Sequence, residues 1–341
     1  MTMKYEHEIF LLQNLDVSPV NVQFELTEAC NLKCRFCYNS QQPVLCDKYK
    51  DIIDRLVNEK VMEIVLTGGE PMLHPDFLKI VEICSSKFIK VQIQTNGTHI
   101  TKEMAKTLES FQVQSVNVSL HGFEETNDYL TGVKGSYRKA LDGIKTMLST
   151  NVMVVSNFVL TSKNISELPA HIDFLCNIGV KYFTLTRFSP TGVGSSSTFL
   201  KISKDELLSV LEYINNKQKT EKGISFLLAN SIPRCALPSH LYNHCNYCHF
   251  GASRFYIDVM GNVLVCGMSR VKLGNLLEDS IRSIKEKSQI YKDHITGESF
   301  PKECKACADF RLCRGGCRAA AMSISGSFSG PDPLSIHVNL K

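Results

Sequence analysis

A chain of 341 residues can bury a sizeable core and has room for two domains. Its 43% hydrophobic and 21% charged residues are ordinary for a globular protein, and a net charge of +4 argues against nucleic acid or an anionic membrane surface as a partner. No apolar run approaches the ~18 residues of a membrane span, and the acidic, briefly apolar start MTMKYEHEIFLLQNLDV is no signal peptide, so the expected location is the cytoplasm.

In chain order, residues 1–17 read as an N-terminal extension. From residue 18 to 223, strand-like and helix-like runs alternate. The strands are VNVQFELT (20–27), EIVLTGG (63–69), KVQIQTNG (90–97), SVNVSLHG (115–122), VMVVSNFVLT (152–161) and KYFTLTRF (181–188). Helical periodicity falls at 49–58, 76–86, 102–111, 136–149 and 167–178, with Pro169 in the first turn of the last. Repeated β-α units imply parallel strands with right-handed crossovers, either a doubly wound sheet or an incomplete barrel. Functional groups then belong at the C-terminal strand ends. Next come PTGVGSSS (190–197), a Gly/Ser-rich loop or lid, a helix near 204–216 and a linker around 217–223. Residues 224–341 form a small cysteine-rich domain with one hairpin, RFYIDVMGNVLVCGM (254–268), turning at Met260-Gly261-Asn262, and a helix near 279–287. So little apolar core needs metal to hold it together.

The 14 cysteines carry the chemistry. In a reducing compartment clustered thiols bind metal or do redox work rather than form disulfides. Cys84 and Cys176 lie in apolar helical patterns and read as buried small hydrophobes. Cys30, Cys34 and Cys37 follow the first strand. Tetrahedral zinc would need a fourth ligand, with Cys46 the nearest candidate, whereas three thiolates suit a [4Fe–4S] cluster with one open iron. The other strand ends carry Gly68-Gly69-Glu70-Pro71, Thr95-Asn96-Gly97 and Ser119-Leu120-His121-Gly122.

C-x3-C-x-aromatic-C after the first strand, followed by GGEP after the second, resembles the radical S-adenosylmethionine (radical SAM) superfamily over residues 18–215. The resemblance implies a partial (β/α)6 TIM-like barrel in which the open iron binds SAM. Reductive cleavage of SAM would then give a 5′-deoxyadenosyl radical that abstracts a substrate hydrogen. It also implies roles for residues. Gly68 and Gly69 would admit close backbone approach to a ligand, Glu70 would accept from the SAM ammonium, and Pro71 would stiffen the turn. Phe36 would pack near the adenine, and Thr95, Asn96 and Ser119 would contact ribose or methionine. Arg187 would pair with a carboxylate of SAM or substrate, and His121 is a candidate acid or base, with a structural hydrogen bond as the alternative.

Downstream, Cys248-x12-Gly261-x4-Cys266 and Cys304-x2-Cys307-x5-Cys313-x3-Cys317 resemble the SPASM domain, an extension carrying one or two auxiliary iron–sulfur clusters. The resemblance gives Cys248, Cys266 and Cys317 to a first auxiliary cluster, completed by Cys245 or, as a rival, Cys235. Cys304, Cys307 and Cys313 go to a second. The family pattern ends in a further cysteine, often as D-P-x-C. This chain has Asp332-Pro333-Leu334-Ser335, which leaves Asp332, Ser335 or an open iron at the fourth position.

Proteins of this kind modify peptides, so the expectation is a maturase of a ribosomally made peptide, served by a reductant such as flavodoxin or ferredoxin. Only about twenty residues precede the first strand, so a leader peptide would dock on a separate partner protein or on this chain's own surface. Gly267, where sulfatase-maturing relatives carry an acidic residue, weighs against that activity. RFSPTGVG (187–194) and CRGGCRAAA (313–321) with the downstream DP resemble tetrapyrrole-processing enzymes, the alternative, for which Arg187, Arg234, Arg254 and Arg270 could meet propionates. Tyr242 and Tyr256 are candidate hydrogen donors.

Overall fold

The computed structural model describes residues 21–246, 248 and 254–336. The chain divides into two compact units, one of residues 24–47 and 63–229, the other of 21–23, 48–62 and the described residues from 230 onward.

The first unit is the α/β part. Strands β1 (Asn21–Glu25), β2 (Glu63–Thr67), β3 (Lys90–Thr95), β4 (Ser115–Ser119), β5 (Met153–Leu160), β6 (Tyr182–Arg187) and β7 (Ser225–Leu228) lie side by side in sequence order. From β2 to β7 every pairing is parallel. Seven strands stand where six were expected: SFLL of β7 pairs with β6 as an edge strand, and with Leu227 56% exposed it lacks the buried run that marks the others.

Alternation along the strands sorts two faces. Val91 and Ile93 of β3 are buried, and helix α2 (Phe77–Lys87) packs on that strand through a side that buries Ile80, Val81 and Cys84. The opposite face is polar and half-buried. Register puts Gln94 beside Asn117, and Asn157 beside Ser119 and Thr184, with Thr186 two residues further along β6. The chain thus spends its apolar side chains on the helix layer and keeps amides and hydroxyls for the concave side of a partial barrel.

The remaining helices of this unit include α3 (Lys102–Ser110), α4 (Glu124–Thr131), α5 (Ser136–Leu148), α6 (Leu168–Asn177) and α7 (Lys204–Thr220). Helix α4 was not anticipated, because EETNDYLT shows little apolar periodicity; it ends at Gly132 in the left-handed region, φ +69°. Helix α7 starts at a capping box: Glu206 N–H donates to Ser203 Oγ (3.1 Å), and Ser203 N–H donates to Glu206 Oε2 (2.7 Å).

The second unit holds helix α1 (Tyr49–Asn58) and an antiparallel β8 (Arg254–Ile257), β9 (Asn262–Leu264), β10 (Lys272–Asn275) meander. Its first turn falls at 258–261, two residues earlier than the sequence suggested. Asp258 draws it in by accepting from Met260 N–H and Asn262 N–H, both at 2.9 Å. After α8 (Ile281–Lys287) and α9 (Gln289–Thr296), Cys304 lies in α10 (Lys302–Lys305), Cys313 ends α11 (Phe310–Cys313) and Cys317 caps α12 (Arg318–Ser325). No helix among the described residues is long and apolar enough to cross a membrane.

Candidate active site and cluster ligands

The loop carrying Cys30, Cys34 and Cys37 leaves the C-terminal end of β1 and is held from three sides. Behind it, Gly69 N–H donates to the Thr27 carbonyl (2.6 Å) and Glu70 N–H to the Ala29 carbonyl (2.8 Å). On a second side Lys33 N–H and Arg35 N–H donate to the Thr131 and Leu130 carbonyls at the end of α4, both at 2.9 Å. On the third, Gly194 N–H donates to the Cys37 carbonyl at 2.7 Å.

Glycine is needed at these contacts because backbone meets backbone. A Cβ on Gly69 would stand 2.2 Å from the Ala29 oxygen, and one on Gly68 2.5 Å from that of Thr27. On Gly192, which also has φ +55°, it would stand 2.0 Å from the Tyr38 oxygen. What approaches Gly68 and Gly69 closely is therefore the protein's own 27–29 segment. The Gly-rich 190–197 stretch is likewise fastened onto the cysteine loop.

The three thiols feel one another. Burial pushes the Cys30 thiol up to about 11, with Glu70 and Cys37 adding to it, and Cys34 and Cys37 are also raised, chiefly by burial. Amides already point at the sulfurs: Leu32 N–H at Cys30 Sγ and Asn39 N–H at Cys37 Sγ, each 3.4 Å, with Asn96 Nδ2 3.9 Å from Cys30 Sγ. As thiolates the three half-buried sulfurs would repel one another, so the grouping with its amide donors suits sulfurs whose charge is taken up by iron. Among the described residues no three Cys, His, Asp or Glu side chains converge tightly enough for a single metal ion; the thiols are grouped, not closed on a point.

Glu70 knits the neighbouring strand ends. Its carboxylate is fully buried and accepts from Thr95 Oγ1 (2.7 Å), Asn96 N–H (2.7 Å) and Met72 N–H (3.2 Å), the last capping a short turn that Pro71 opens. Asn96 also donates to Asn31 Oδ1 (2.8 Å), tying β3 to the cysteine loop. Burial pushes the Glu70 carboxyl up to about 7 against those three hydrogen bonds. All three donors are neutral, so its charge has no counter-ion among them.

Phe36 packs on a cluster of Leu130, Val159, Phe188 and Leu200, edge-on to His121 at 4.7 Å. His121 is buried, and burial pulls its pKa down to about 3. Its Nδ1 accepts from Val159 N–H (3.1 Å), which leaves the proton on Nε2. A neutral imidazole bonded to backbone positions Phe36 and is a poor proton carrier. Ser119 ends β4 half-buried, and Arg187 ends β6, buried on the face of Phe183 and Leu185 rather than that of Thr186. Glu25, which sequence reasoning passed over, is fully buried at the end of β1 and accepts from Asn39 Nδ2 of the cysteine loop at 2.5 Å. A charge beside Gln23 on the polar face of the alternating VQFEL run was the available signal.

In the second unit the late cysteines fall into two groups. Cys266 and Cys317 share an apolar cluster with Ala319 and Ala320, and burial raises Cys266, with Cys317 adding to it. Cys248 is half-buried. Cys304, Cys307 and Cys313 line one cavity together with Cys235 and Ser335. Cys245 lies beside Cys313 and hydrogen-bonds to that sulfur, which is held below the ordinary thiol value by this bond and by the amides of Arg234, Gly315 and Gly316. Asp332 is fully buried and accepts from Cys317 N–H (2.7 Å) and Leu334 N–H (2.9 Å).

Residues 24–175 match the family model of the radical SAM superfamily, and residues 248–308 that of SPASM, an iron–sulfur cluster-binding domain. The chain carries a radical SAM domain followed by a SPASM domain. It is 25% identical over 94% of its length to AdoMet-dependent heme synthase of Methanosarcina barkeri, covering 97% of that protein. It is 28% identical over 93% of its length to mycofactocin maturase MftC of Mycobacterium tuberculosis, covering 82%. In fold it resembles Streptococcus suis SuiB bound to S-adenosylmethionine, with TM-score 0.76 and 19% identity, over 93% of this chain and 77% of that one. This radical SAM enzyme accordingly uses a SAM-binding [4Fe–4S] cluster and auxiliary iron–sulfur chemistry. When bound, that cluster and SAM supply the reductive cleavage that generates a hydrogen-abstracting 5′-deoxyadenosyl radical.

Proposed function

We propose that this enzyme modifies a ribosomally synthesised peptide in the cytoplasm, by a reaction that begins with hydrogen abstraction. The observation that carries this reading is the half-buried polar row on one face of the sheet: Gln94, Asn117, Ser119, Asn157 and Thr186. Amides and hydroxyls are donors and acceptors suited to a peptide main chain. A tetrapyrrole would call for cations at its propionates, and Arg234, one candidate, is engaged by Asp309 (3.3 Å) and the Tyr242 ring (3.9 Å). Similarity to a maturase supports the peptide reading, and similarity to a heme synthase keeps tetrapyrroles as the second arm of the test. In this reading Cys30, Cys34 and Cys37 hold the SAM cluster, residues 18–223 form the catalytic domain, and residues 224–341 carry the auxiliary clusters. Electrons come from a flavodoxin or ferredoxin, and the leader docks on a separate protein or on this chain's own surface.

The test is the mass of short peptides encoded beside the gene, co-expressed with the intact enzyme or with its Cys30, Cys34 and Cys37 triple alanine variant, with a parallel arm in deuterated water. Loss of two hydrogens would mean crosslinking or desaturation, loss of carbon dioxide decarboxylation, and one deuterium gained epimerisation. Unaltered peptides beside active SAM cleavage and a changed tetrapyrrole would overturn the peptide reading.

Glu70 is the residue we assign to the SAM ammonium. A carboxylate offers about four lone-pair sites. Three are taken by neutral donors, and the buried charge lacks a counter-ion among them. An ammonium supplies one, and binding it requires the ionised form. Below about 7 the ligand-free carboxyl is mostly protonated, so SAM affinity is expected to rise with pH through that value. Glu70→Gln should bind SAM about ten- to a hundredfold more weakly, as loss of a charge-assisted hydrogen bond implies, and should flatten the pH dependence. Isothermal titration from pH 6 to 8 checks both; an unchanged slope in the variant would remove Glu70 from this role.

A further inference from the structure

Cys235 belongs to none of the spacing motifs, yet it lines the same small cavity as Cys304, Cys307 and Cys313, with Pro233 and Phe310 as apolar wall. Its turn (Arg234–Ala236) is anchored there: Arg234 N–H donates to Cys313 Sγ at 3.3 Å, and the Arg234 side chain pairs with Asp309. Cys235 Sγ stands 3.5 Å from Ser335 Oγ. Three other candidates for a fourth ligand fare worse. Asp332 does not line the cavity, and its two oxygens accept from Cys317 N–H and Leu334 N–H. Ser335 offers a hard, poorly acidic hydroxyl where iron–sulfur clusters take thiolate. Cys245 reaches Cys313 but does not line the cavity.

We propose that Cys235 is the fourth thiolate of the second auxiliary site, closing with Cys304, Cys307 and Cys313 a four-cysteine [4Fe–4S] site in a chain that carries Ser335 where the family pattern has its last cysteine. The inference rests on the auxiliary-cluster reading of the second unit. A site with all four positions filled by protein has no open iron for substrate, which leaves it electron transfer or structural support.

The test uses the full chain reconstituted anaerobically, with iron and acid-labile sulfide counted and electron paramagnetic resonance spectra recorded on reduction and on mild oxidation. Cys235→Ala should lose about one iron per chain and, with SAM added to cover the open iron of the first cluster, show a three-iron signal on oxidation that wild type lacks. Adding Ser335→Cys to that variant places a thiol beside the vacated sulfur and should restore the iron count and remove the three-iron signal. An unchanged count and spectrum in Cys235→Ala would overturn the assignment, as would a loss that Ser335→Cys fails to repair. Wild-type protein holding no more than about four irons would instead overturn the auxiliary-cluster reading itself.

Discussion

Replacing Cys34 by alanine is expected to reduce 5′-deoxyadenosine formation to background and to remove about four irons per chain, while auxiliary iron stays. Cys34 is the middle thiol of its loop, and the electrostatics place it within reach of both Cys30 and Cys37. The loop is pinned on three sides by main-chain hydrogen bonds from Gly69 and Glu70, to Leu130 and Thr131, and from Gly194. It therefore cannot slide to recruit Cys46, which is itself fully buried, its N–H donating to the Leu26 carbonyl at 2.9 Å. With two ligands left, the cluster and the SAM that binds its open iron are both lost. Chromatography of the nucleoside product beside an iron count checks this. SAM cleavage retained in the variant would mean that the site has been misassigned.

Gly69→Ala is expected to be nearly as damaging by a different route. The new methyl would lie 2.2 Å from the Ala29 oxygen and 2.5 Å from that of Glu28, both main-chain atoms that cannot rotate away. Relief requires separating the end of β2 from the cysteine loop, which breaks the 2.6 Å and 2.8 Å bonds that join them. Overpacking of this kind costs roughly 1–3 kcal/mol, and the lost hydrogen bonds add about 1 kcal/mol each. A fall in melting temperature of about 5 °C or more follows for a unit of this size, with reduced occupancy of the first cluster. Melting of the iron-free chain separates this from a ligand-contact role. A variant that melts like wild type without iron or SAM, yet binds SAM poorly, would show that Gly69 serves the ligand instead. Gly192→Ala should behave in the same way at the opposite side of the loop.

The order of strands and the places of the strand-end motifs were legible because both are written locally. Alternation in KVQIQT marks a strand with one apolar and one polar face, and the strand is found at Lys90–Thr95. GGEP and TNG follow their strands, and the fold brings them to one hydrogen-bonded network through Glu70 and Asn96. Less legible were β7, too short and exposed to stand out, and α4, whose polar sequence hides a helix that its C-terminal carbonyls make useful to the cysteine loop. His121 read as a possible acid or base because histidine at a strand end permits it; only its burial and the Val159 amide on Nδ1 give it a positioning part.

By itself the sequence determined the chemistry: three thiols within eight residues of one loop, and glycine and glutamate after the next strand. Ligand spacing along a loop survives any folding of the rest, so it can be read before the fold is known. Tertiary structure alone decided which distant groups meet them. Glu25 under Asn39, Gly192 against Tyr38, Cys245 beside Cys313 and Cys235 beside Ser335 are contacts between segments far apart in the chain. No periodicity or motif encodes such pairs; they follow from how strands, turns and short helices pack, and burial then sets the charge each group can hold.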